Sequence, residues 1–310
     1  MQSCPVCGGN APVTALLPAG DIAVRLQDEL GAAVPESMTI ADYAMRQCSA
    51  CALVFADPML AGDASYYRWV TAFPHYHAED RWEWGVVRRV LAERGKTRLL
   101  ELGCGEGRFL ASLASFADVE AEGIDLSEGD VAAALARGVK ARCLSLQDAI
   151  LEPARFDVIF MSHVLEHVED PLGIVAGCKR LLTPGGEIVF SVPYSPTSRE
   201  YRELDIMNLP PHHLTRWNMN SLKRLAEIAG LQLGYEMRKP KSLLKRTLRH
   251  TVESVTGKTE KMGALRTLAI LASHPGVFSD ALKLHRSREK IGGRRAADEI
   301  LVRLKTPTSS

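Results

Sequence analysis

Three sets of residues in this chain carry chemistry by type and spacing. The first is a pair of C-x-x-C turns, Cys4-Pro-Val-Cys7 and Cys48-Ser-Ala-Cys51. Each turn sets two thiolates side by side, and two such turns supply four sulfurs, the donor set of a tetrahedral Zn²⁺ site. The competing reading is one redox pair plus two ordinary cysteines. With four protein ligands the ion has no open position, so its expected role is structural. The second set lies in LLELGCGEGRFL, Leu99 to Leu110, where Gly103, Gly105 and Gly107 alternate with Cys104, Glu106 and Arg108. Glycine lets the backbone turn sharply and lets a ligand approach the main chain. A helix opening just after such a turn aims free N–H groups at a polar or negative ligand. Glu101 precedes the first glycine by two residues, and Asp125 follows at the end of VEAEGIDLS. A carboxylate at that spacing accepts the two hydroxyls of a ribose; the other reading makes Asp125 or Ser127 the N-cap of the next helix. The third set is histidine: His163 and His167 in SHVLEHVEDP, and His212 and His213 in PPHHLTRW. Imidazoles on loops beside a ligand edge are candidate proton acceptors, and His167 reads equally as a structural partner of a neighbouring loop.

These residues need a scaffold, and the pattern around them supplies one. Leu99 to Leu102 reads as a buried strand running into the glycine turn. A second strand ends at Asp125, a short third covers Lys140 to Leu146, and Val158 to Met161 is a continuous apolar run suited to a central parallel strand. Asp170-Pro171 opens a helix with Asp as N-cap and Pro at the first position. Thr183-Pro-Gly-Gly186 is a turn, and EIVFSVP is a fifth strand. A helix closing at Gly230 precedes LQLGYEM, a sixth strand, and Ala296 to Pro307 holds the last. Strands alternating with helices predict an α/β, doubly wound sheet that binds ligands at the strand C-termini. Cys104, Cys143 and Cys178 fall on sheet or helix positions and are expected to be buried small apolar residues.

The 310 residues carry a formal net charge of +1 and are 46% hydrophobic, which fits a globular chain with a full core and a small extra module. No apolar run approaches the ~20 residues of a transmembrane helix. MQSCPVCGGN lacks the apolar core of a signal peptide, so the expected location is the cytoplasm, where thiols stay reduced.

The string LLELGCGEG resembles motif I of class I S-adenosylmethionine (SAM)-dependent methyltransferases. With LEHV-D-P and LLTPGG-I-F-VP in order, the stretch from Leu99 to Glu236 is similar to ubiquinone-biosynthesis-type methyltransferases. The series CPVCG, CSACALVFADP, SYYRWVTAFPHYH and LLELGCGEG also resembles a zinc-bearing subgroup that includes sugar C-methyltransferases. The resemblance implies a Rossmann-like, seven-stranded class I methyltransferase sheet whose last strand is antiparallel. A small N-terminal zinc ribbon would precede it, and a helical insertion would come before the last strand. It divides the chain into a zinc module (1–60), an aromatic lid (61–95), the SAM-binding core (96–238), a basic insertion (239–293) and a final strand (294–310). It further implies SAM contacts from Glu101, Gly103, Cys104, Gly105, Gly107, Asp125 and Leu126, from Ser145 and Leu146 near the adenine, and from Ser162. Tyr76 in the lid would reach the methionine carboxylate, unless the lid aromatics only pack. In the sugar C-methyltransferases the loop after the fifth strand carries His-Glu-His; here Pro211 takes the first His position and His213 matches the second.

SAM brings its own leaving group, so the protein has to align the methyl with the acceptor and exclude water. A base is needed where the acceptor is a hydroxyl or a carbon beside a carbonyl, and His213, His167, His212 and His163 are the candidates. The expected acceptor is a small molecule, sugar or lipid-linked glycan, methylated at oxygen or carbon. RNA methylation is an alternative, although the first 60 residues show no basic stripe interleaved with aromatics. A non-catalytic SAM-binding or zinc scaffold is an alternative of another class.

From Arg238 to Arg295 there are fifteen Lys and Arg against four Asp and Glu, a net of +11. Leu243, Leu244, Leu248, Val252 and Val255 recur at helical spacing among Lys241, Lys245, Arg246 and Arg249. Such a helix either meets an anionic surface, as in peripheral contact with the inner face of a membrane, or packs on its own domain with its charges solvated. RNA binding is a third option.

Overall fold

The computed structural model describes residues 3–35, 38–73, 80–197, 208–238, 242–256, 263–287, 290–291, 294–295 and 298–307. The chain begins with β1 (Val13–Leu17), α1 (Ala19–Leu30), β2 (Tyr43–Gln47) and β3 (Val54–Asp57), followed by α2 (Ala64–Thr71) and α3 (Trp82–Arg94). The core alternates β4 (Thr97–Leu102), α4 (Arg108–Ala111), β5 (Val119–Asp125), α5 (Glu128–Ala136), β6 (Ala141–Cys143), α6 (Leu146–Ala149), β7 (Phe156–Ser162), α7 (Pro171–Leu181) and β8 (Leu182–Pro193). Then come β9 (Thr215–Arg216), α8 (Met219–Ala229) and β10 (Gln232–Met237). The remainder is α9 (Leu243–Thr256), α10 (Ala264–Ser273), α11 (Pro275–Ser287), the β11 (Lys290–Ile291)–β12 (Arg294–Arg295) pair and β13 (Glu299–Lys305).

Seven strands form the main sheet in the order β10-β13-β8-β7-β4-β5-β6. β6, β5, β4, β7 and β8 pair in parallel. β13 runs antiparallel to β8: the Thr306 amide at its end meets the Gly186 carbonyl near the start of β8. The order reverses between β4 and β7, so the C-terminal tips of β4, β5 and β7 surround one crevice, the usual ligand position in such sheets. Leu99, Val158, Phe160, Val189 and Leu301 on the sheet pack with Val87 and Leu91 of α3 and Phe109 of α4. Full burial of each such side chain contributes roughly 1.5–3 kcal/mol. Local signals fix the helix ends. Ser127 accepts the Asp130 amide, Asp170 accepts the Gly173 amide with Pro171 following, and Asn218 and Ser221 form a capping box.

Three expectations change. Thr183–Gly186 does not end the fourth crossover before a new strand; β8 already starts at Leu182, and its pairing jumps from Phe156–Leu182 to Val158–Glu187. The four residues bulge out of one strand, with Gly185 in the left-handed region. The third strand stops at Cys143 because Ser145 caps α6, its hydroxyl accepting the Asp148 amide at 3.1 Å. Cys104 and Cys178 are buried as expected, whereas Cys143 is exposed because it ends the short edge strand β6.

A second sheet, in the order β1-β2-β3-β9, builds the N-terminal module. Its fourth strand comes from far along the chain, where Val54 and Phe55 pair with Arg216 and Thr215. Its core joins Ile22, Leu26, Tyr43, Met45 and Ala56 to Tyr66 and Val70 of α2 and to Leu214.

Residues 194–205 and 237–299 make a separate compact unit. In it α9 packs with α10 and α11. The buried side of α9 holds Arg246, Thr247, Thr251, Val252 and Glu253. The apolar stripe read from the sequence is therefore divided: Val252 points inward, Leu243, Leu248 and Val255 are half-buried, and Leu244 is exposed. The larger apolar exposure is on α10, which buries no residue and leaves Leu265 86% and Leu268 61% exposed. Among the described residues, no helix is long and apolar enough to cross a membrane.

Candidate active site and metal centre

The glycine turn forms because β4 must leave the sheet abruptly while staying tied to β5. The amides of Gly103 and Cys104 both donate to the Ile124 carbonyl, at 2.8 and 3.2 Å. Gly103 and Gly107 lie at φ +74° and +71°, and a Cβ on them would come within 2.6 Å of Val164 and 2.7 Å of Val139. Gly105 also has positive φ, and nothing stands within 4 Å of where its Cβ would be, so its face is open to a ligand. Asp125 closes the turn from β5. Its Oδ2 accepts the Gly105 amide at 2.8 Å and its Oδ1 the Ser127 amide at 2.9 Å. Ser127, not Asp125, caps α5. Each Asp125 oxygen keeps lone pairs for further donors.

Glu101 is buried at the tip of β4, and its Oε2 has no hydrogen-bond partner. Burial, and secondarily the charge of Asp125, push this carboxyl well above the usual carboxylate range. A buried acceptor without a donor is costly unless a ligand supplies one. The ammonium and hydroxyl groups of SAM are such donors, so this cradle fits that cofactor. Leu126, 77% exposed beside Asp125, offers an apolar surface to a base. Ser145 is engaged with Asp148, and Leu146 is buried where a Cβ on Gly177 would touch it. Cys104 is buried with its thiol pushed up by burial, and its Sγ lies 3.7 Å from the Gly105 carbonyl inside the turn. Tyr76, with His75 and His77, lies outside the described residues.

The β7 tip carries a chain of charges. Ser162 and Ser191 donate to Glu83 Oε1 at 3.1 and 3.3 Å. His163, a non-glycine residue at φ +55°, follows. Its Nε2 lies 3.6 Å from Glu83 Oε1 and its Nδ1 donates to Glu166 Oε1 at 3.0 Å. Burial opposes charge on His163, but the hydrogen bond to Glu166 and its charge win, and the imidazole is raised above its ordinary value. Glu166 is buried too, yet the His163 partner holds it below the usual range.

Beside this pair stand three further imidazoles. His167 Nδ1 donates to the His212 carbonyl at 2.6 Å, and His213 Nδ1 donates to Asn208 Oδ1 at 2.8 Å. Burial, reinforced by the neighbouring histidines, lowers His212 and His213 well below the ordinary histidine value. His167 is lowered by burial despite Glu166. His213 Nε2 lies 3.9 Å from Glu166 Oε1. The histidine loop is strapped on both sides: Leu214 N donates to the Glu166 carbonyl at 2.8 Å, and Ala56 N donates to the Leu214 carbonyl at 2.8 Å. The sequence reading missed Glu83, the partner of Ser162, and Asn208, the orienter of His213. Glu166 carried a signal, its i, i+3 spacing from His163.

The four cysteines of the N-terminal module converge, with all Sγ atoms within 4.8 Å of one another. Cys4 and Cys51 sulfurs lie 3.7 Å apart, and Cys7 and Cys48 sulfurs 3.5 Å. Gly8 and Ala52, each following a knuckle, take left-handed φ values of +70° and +58°. The Ala50 and Cys51 amides donate to Cys48 Sγ at 3.4 and 3.5 Å. A Cβ on Gly9 would sit 3.1 Å from Cys48 Sγ and 3.3 Å from Cys7 Sγ. The sulfurs thus occupy a shaped cradle, and the donor set fits zinc.

Comparison with known proteins bears on this site. A family model described as a methyltransferase domain matches residues 75–235. A ubiquinone biosynthesis O-methyltransferase of Thiobacillus denitrificans is 38% identical over 118 residues, covering 36% of this chain and 49% of that protein. Its counterpart in Bordetella pertussis is 33% identical over 126 residues, covering 38% and 52%. The chain spans about half the length of these curated relatives. A SAM-dependent methyltransferase structure from Archaeoglobus fulgidus aligns with a TM-score of 0.53 at 17% identity, covering 77% of this chain and all of that one, a likeness of fold.

Proposed function

The chain belongs to the methyltransferase domain family, and from that premise we propose that it transfers the methyl group of SAM to an oxygen or carbon of a small-molecule, sugar or lipid-linked glycan acceptor. The observation that carries this reading is the unpartnered carboxylate oxygen of Glu101, buried beside an open glycine turn and Asp125. Glu101 takes the cofactor's amino end, Asp125 its ribose, and the Gly103–Gly107 backbone lies along it. Leu126, Ser145 and Leu146 bound the adenine corner, and Ser162 stands at the reacting end. The small-molecule relatives support this acceptor class over RNA.

Calorimetry with SAM tests the reading directly. The intact protein is expected to bind at micromolar level, and Asp125→Ala to weaken binding by roughly 1.5–3 kcal/mol, the range for hydrogen bonds to a charged group. Circular dichroism of the variant checks that the turn is kept. Absence of SAM binding by the intact, folded protein removes the proposal.

The acceptor has to lose a proton if it is a hydroxyl or an acidic carbon. His213 is the preferred recipient. Asn208 holds its proton on Nδ1, leaving the Nε2 lone pair, and an imidazolium formed there would face Glu166. His167 is second, its Nδ1 likewise committed to a carbonyl. His163, set between Glu83 and Glu166 and raised above its ordinary value by its bond to Glu166, serves to position Glu166, and His212 stacks on His213 at an interplanar angle of 17°. The cysteine cluster is assigned one structural Zn²⁺.

The unit holding α9 to α11 is assigned peripheral contact with an anionic membrane surface. Support comes from the +11 charge of Arg238 to Arg295 and from the exposure of Leu265 and Leu268 on α10. Each basic residue near such a surface contributes about 1 kcal/mol. Co-sedimentation with phosphatidylglycerol vesicles at low salt is expected, and should be lost with phosphatidylcholine alone or at high salt. Leu265→Ser with Leu268→Ser should weaken it. A chain that ignores anionic vesicles at low salt has only solvated charges in this unit.

A further inference from the structure

We propose that His167, His212 and His213 form a second metal site, for a borderline divalent transition ion such as Zn²⁺ or Co²⁺, with a coordination position left for an oxygen donor of the acceptor. One ligand atom from each ring lies within 4.8 Å of the other two, and the ring centroids are 4.6 to 4.9 Å apart. Three imidazoles meeting in this way suit zinc, cobalt, nickel or copper and not magnesium or calcium, which want oxygen.

The surroundings are those of a ligand set. A metal-binding imidazole ordinarily donates its second N–H to a carbonyl or carboxylate, which fixes the tautomer and the ring plane. Here His167 Nδ1 is held by the His212 carbonyl and His213 Nδ1 by the side-chain oxygen of Asn208. Both rings are thereby left with Nε2 as the free donor. His212 is 5% exposed and brings the third ring. The backbone carrying His212 and His213 is restricted by Pro210 and Pro211, and the Leu214 and Thr215 amides fasten it to the Glu166 carbonyl. The ligand loop is thus ordered before any ion arrives, which lowers the cost of binding.

Three protein ligands leave a tetrahedral ion one open position, in contrast to the four-cysteine cluster. The inference rests on the proposed function only for what fills that position. An acceptor hydroxyl, enol or carbonyl oxygen is the chemical class that an ion there would polarise. In the metal-free protein the same nitrogens remain proton acceptors.

The test is loading with Co²⁺ alone, after chelation, with no methyl acceptor present. The cysteine cluster gives intense sulfur-to-cobalt charge-transfer bands, and an imidazole site gives weaker visible d–d bands without them. The intact chain is expected to bind two ions. His167→Gln and His213→Gln, which keep size and hydrogen-bonding capacity, are each expected to weaken the second ion at least tenfold while the charge-transfer bands persist. Azide is expected to shift the d–d bands by entering the open position. Thermal melting of each variant checks its fold. A single ion confined to the cysteines, or a second ion indifferent to both substitutions, overturns the proposal. Calorimetric SAM binding would still stand in that case, so failure here is distinct from failure of the methyltransferase reading.

Discussion

Changing Cys48 and Cys51 together to serine is expected to abolish zinc binding by the N-terminal module and to unfold that module. Structural zinc contributes on the order of 10–16 kcal/mol of apparent binding free energy in small zinc-dependent folds. Here the ion would join segments 41 and 47 residues apart in sequence. The module's own apolar cluster, built on Ile22, Leu26, Tyr43 and Met45, is small, so little else replaces a lost cross-link. Metal analysis of the purified chain should give a tightly held zinc at the four cysteines, counted apart from any ion on the histidines, that the double serine variant lacks, together with a lower melting temperature. Retention of that zinc by the variant would falsify the four-cysteine site. The consequence reaches further than the module. β9 pairs with β3, and Ala56 N holds the Leu214 carbonyl next to His213. Releasing β3 therefore frees the histidine loop, and the variant should lose turnover while retaining SAM, whose proposed contacts lie on β4 and β5.

Turnover should fall about 10²–10⁴-fold in His213→Ala, the usual contribution of a positioned acid or base, with SAM affinity nearly unchanged. His167, whose ring also feels the Glu166 charge, is tested in the same way by His167→Ala. The pH dependence follows from burial. His213 is held well below the ordinary histidine value, so it stays neutral through neutral pH and gains a proton only in acid. Activity that needs the neutral form is present above that point and lost as pH falls through it. Glu166→Gln should move this acid limb further down, since the carboxylate facing Nε2 favours the protonated ring. Equal turnover in the wild-type chain and in both alanine variants, measured with an accepted methyl acceptor, removes base catalysis by either residue.

How much of this was readable beforehand varies with distance along the chain. LLELGCGEG specifies its turn because three glycines at alternate positions permit a left-handed backbone, a steric property of the glycines themselves. Asp170-Pro171 states its helix start just as locally, through the bond from Asp170 to the Gly173 amide three residues on. At Thr183–Gly186 a bulge and a turn between elements share the same residue types, and only the pairing of β7 with β8 separates them. The leucines of α9 form one stripe by spacing, but helical spacing does not say which neighbours cover it, and threonines, Arg246 and Glu253 are buried alongside Val252.

The sequence by itself determined the backbone chemistry: two cysteine knuckles, a glycine turn ending a buried strand, and a carboxylate at the next strand tip. These depend on residues adjacent or one helical turn apart, where sterics and capping act directly. Tertiary structure decided what the histidines are. Glu83 meets Ser162 and Ser191 across 79 and 108 residues, and His167 meets His212 across 45. Whether an imidazole is raised like His163 or lowered like His213 depends on which carboxylate or ring faces it after burial, and at those separations only the packed sheet decides which groups meet.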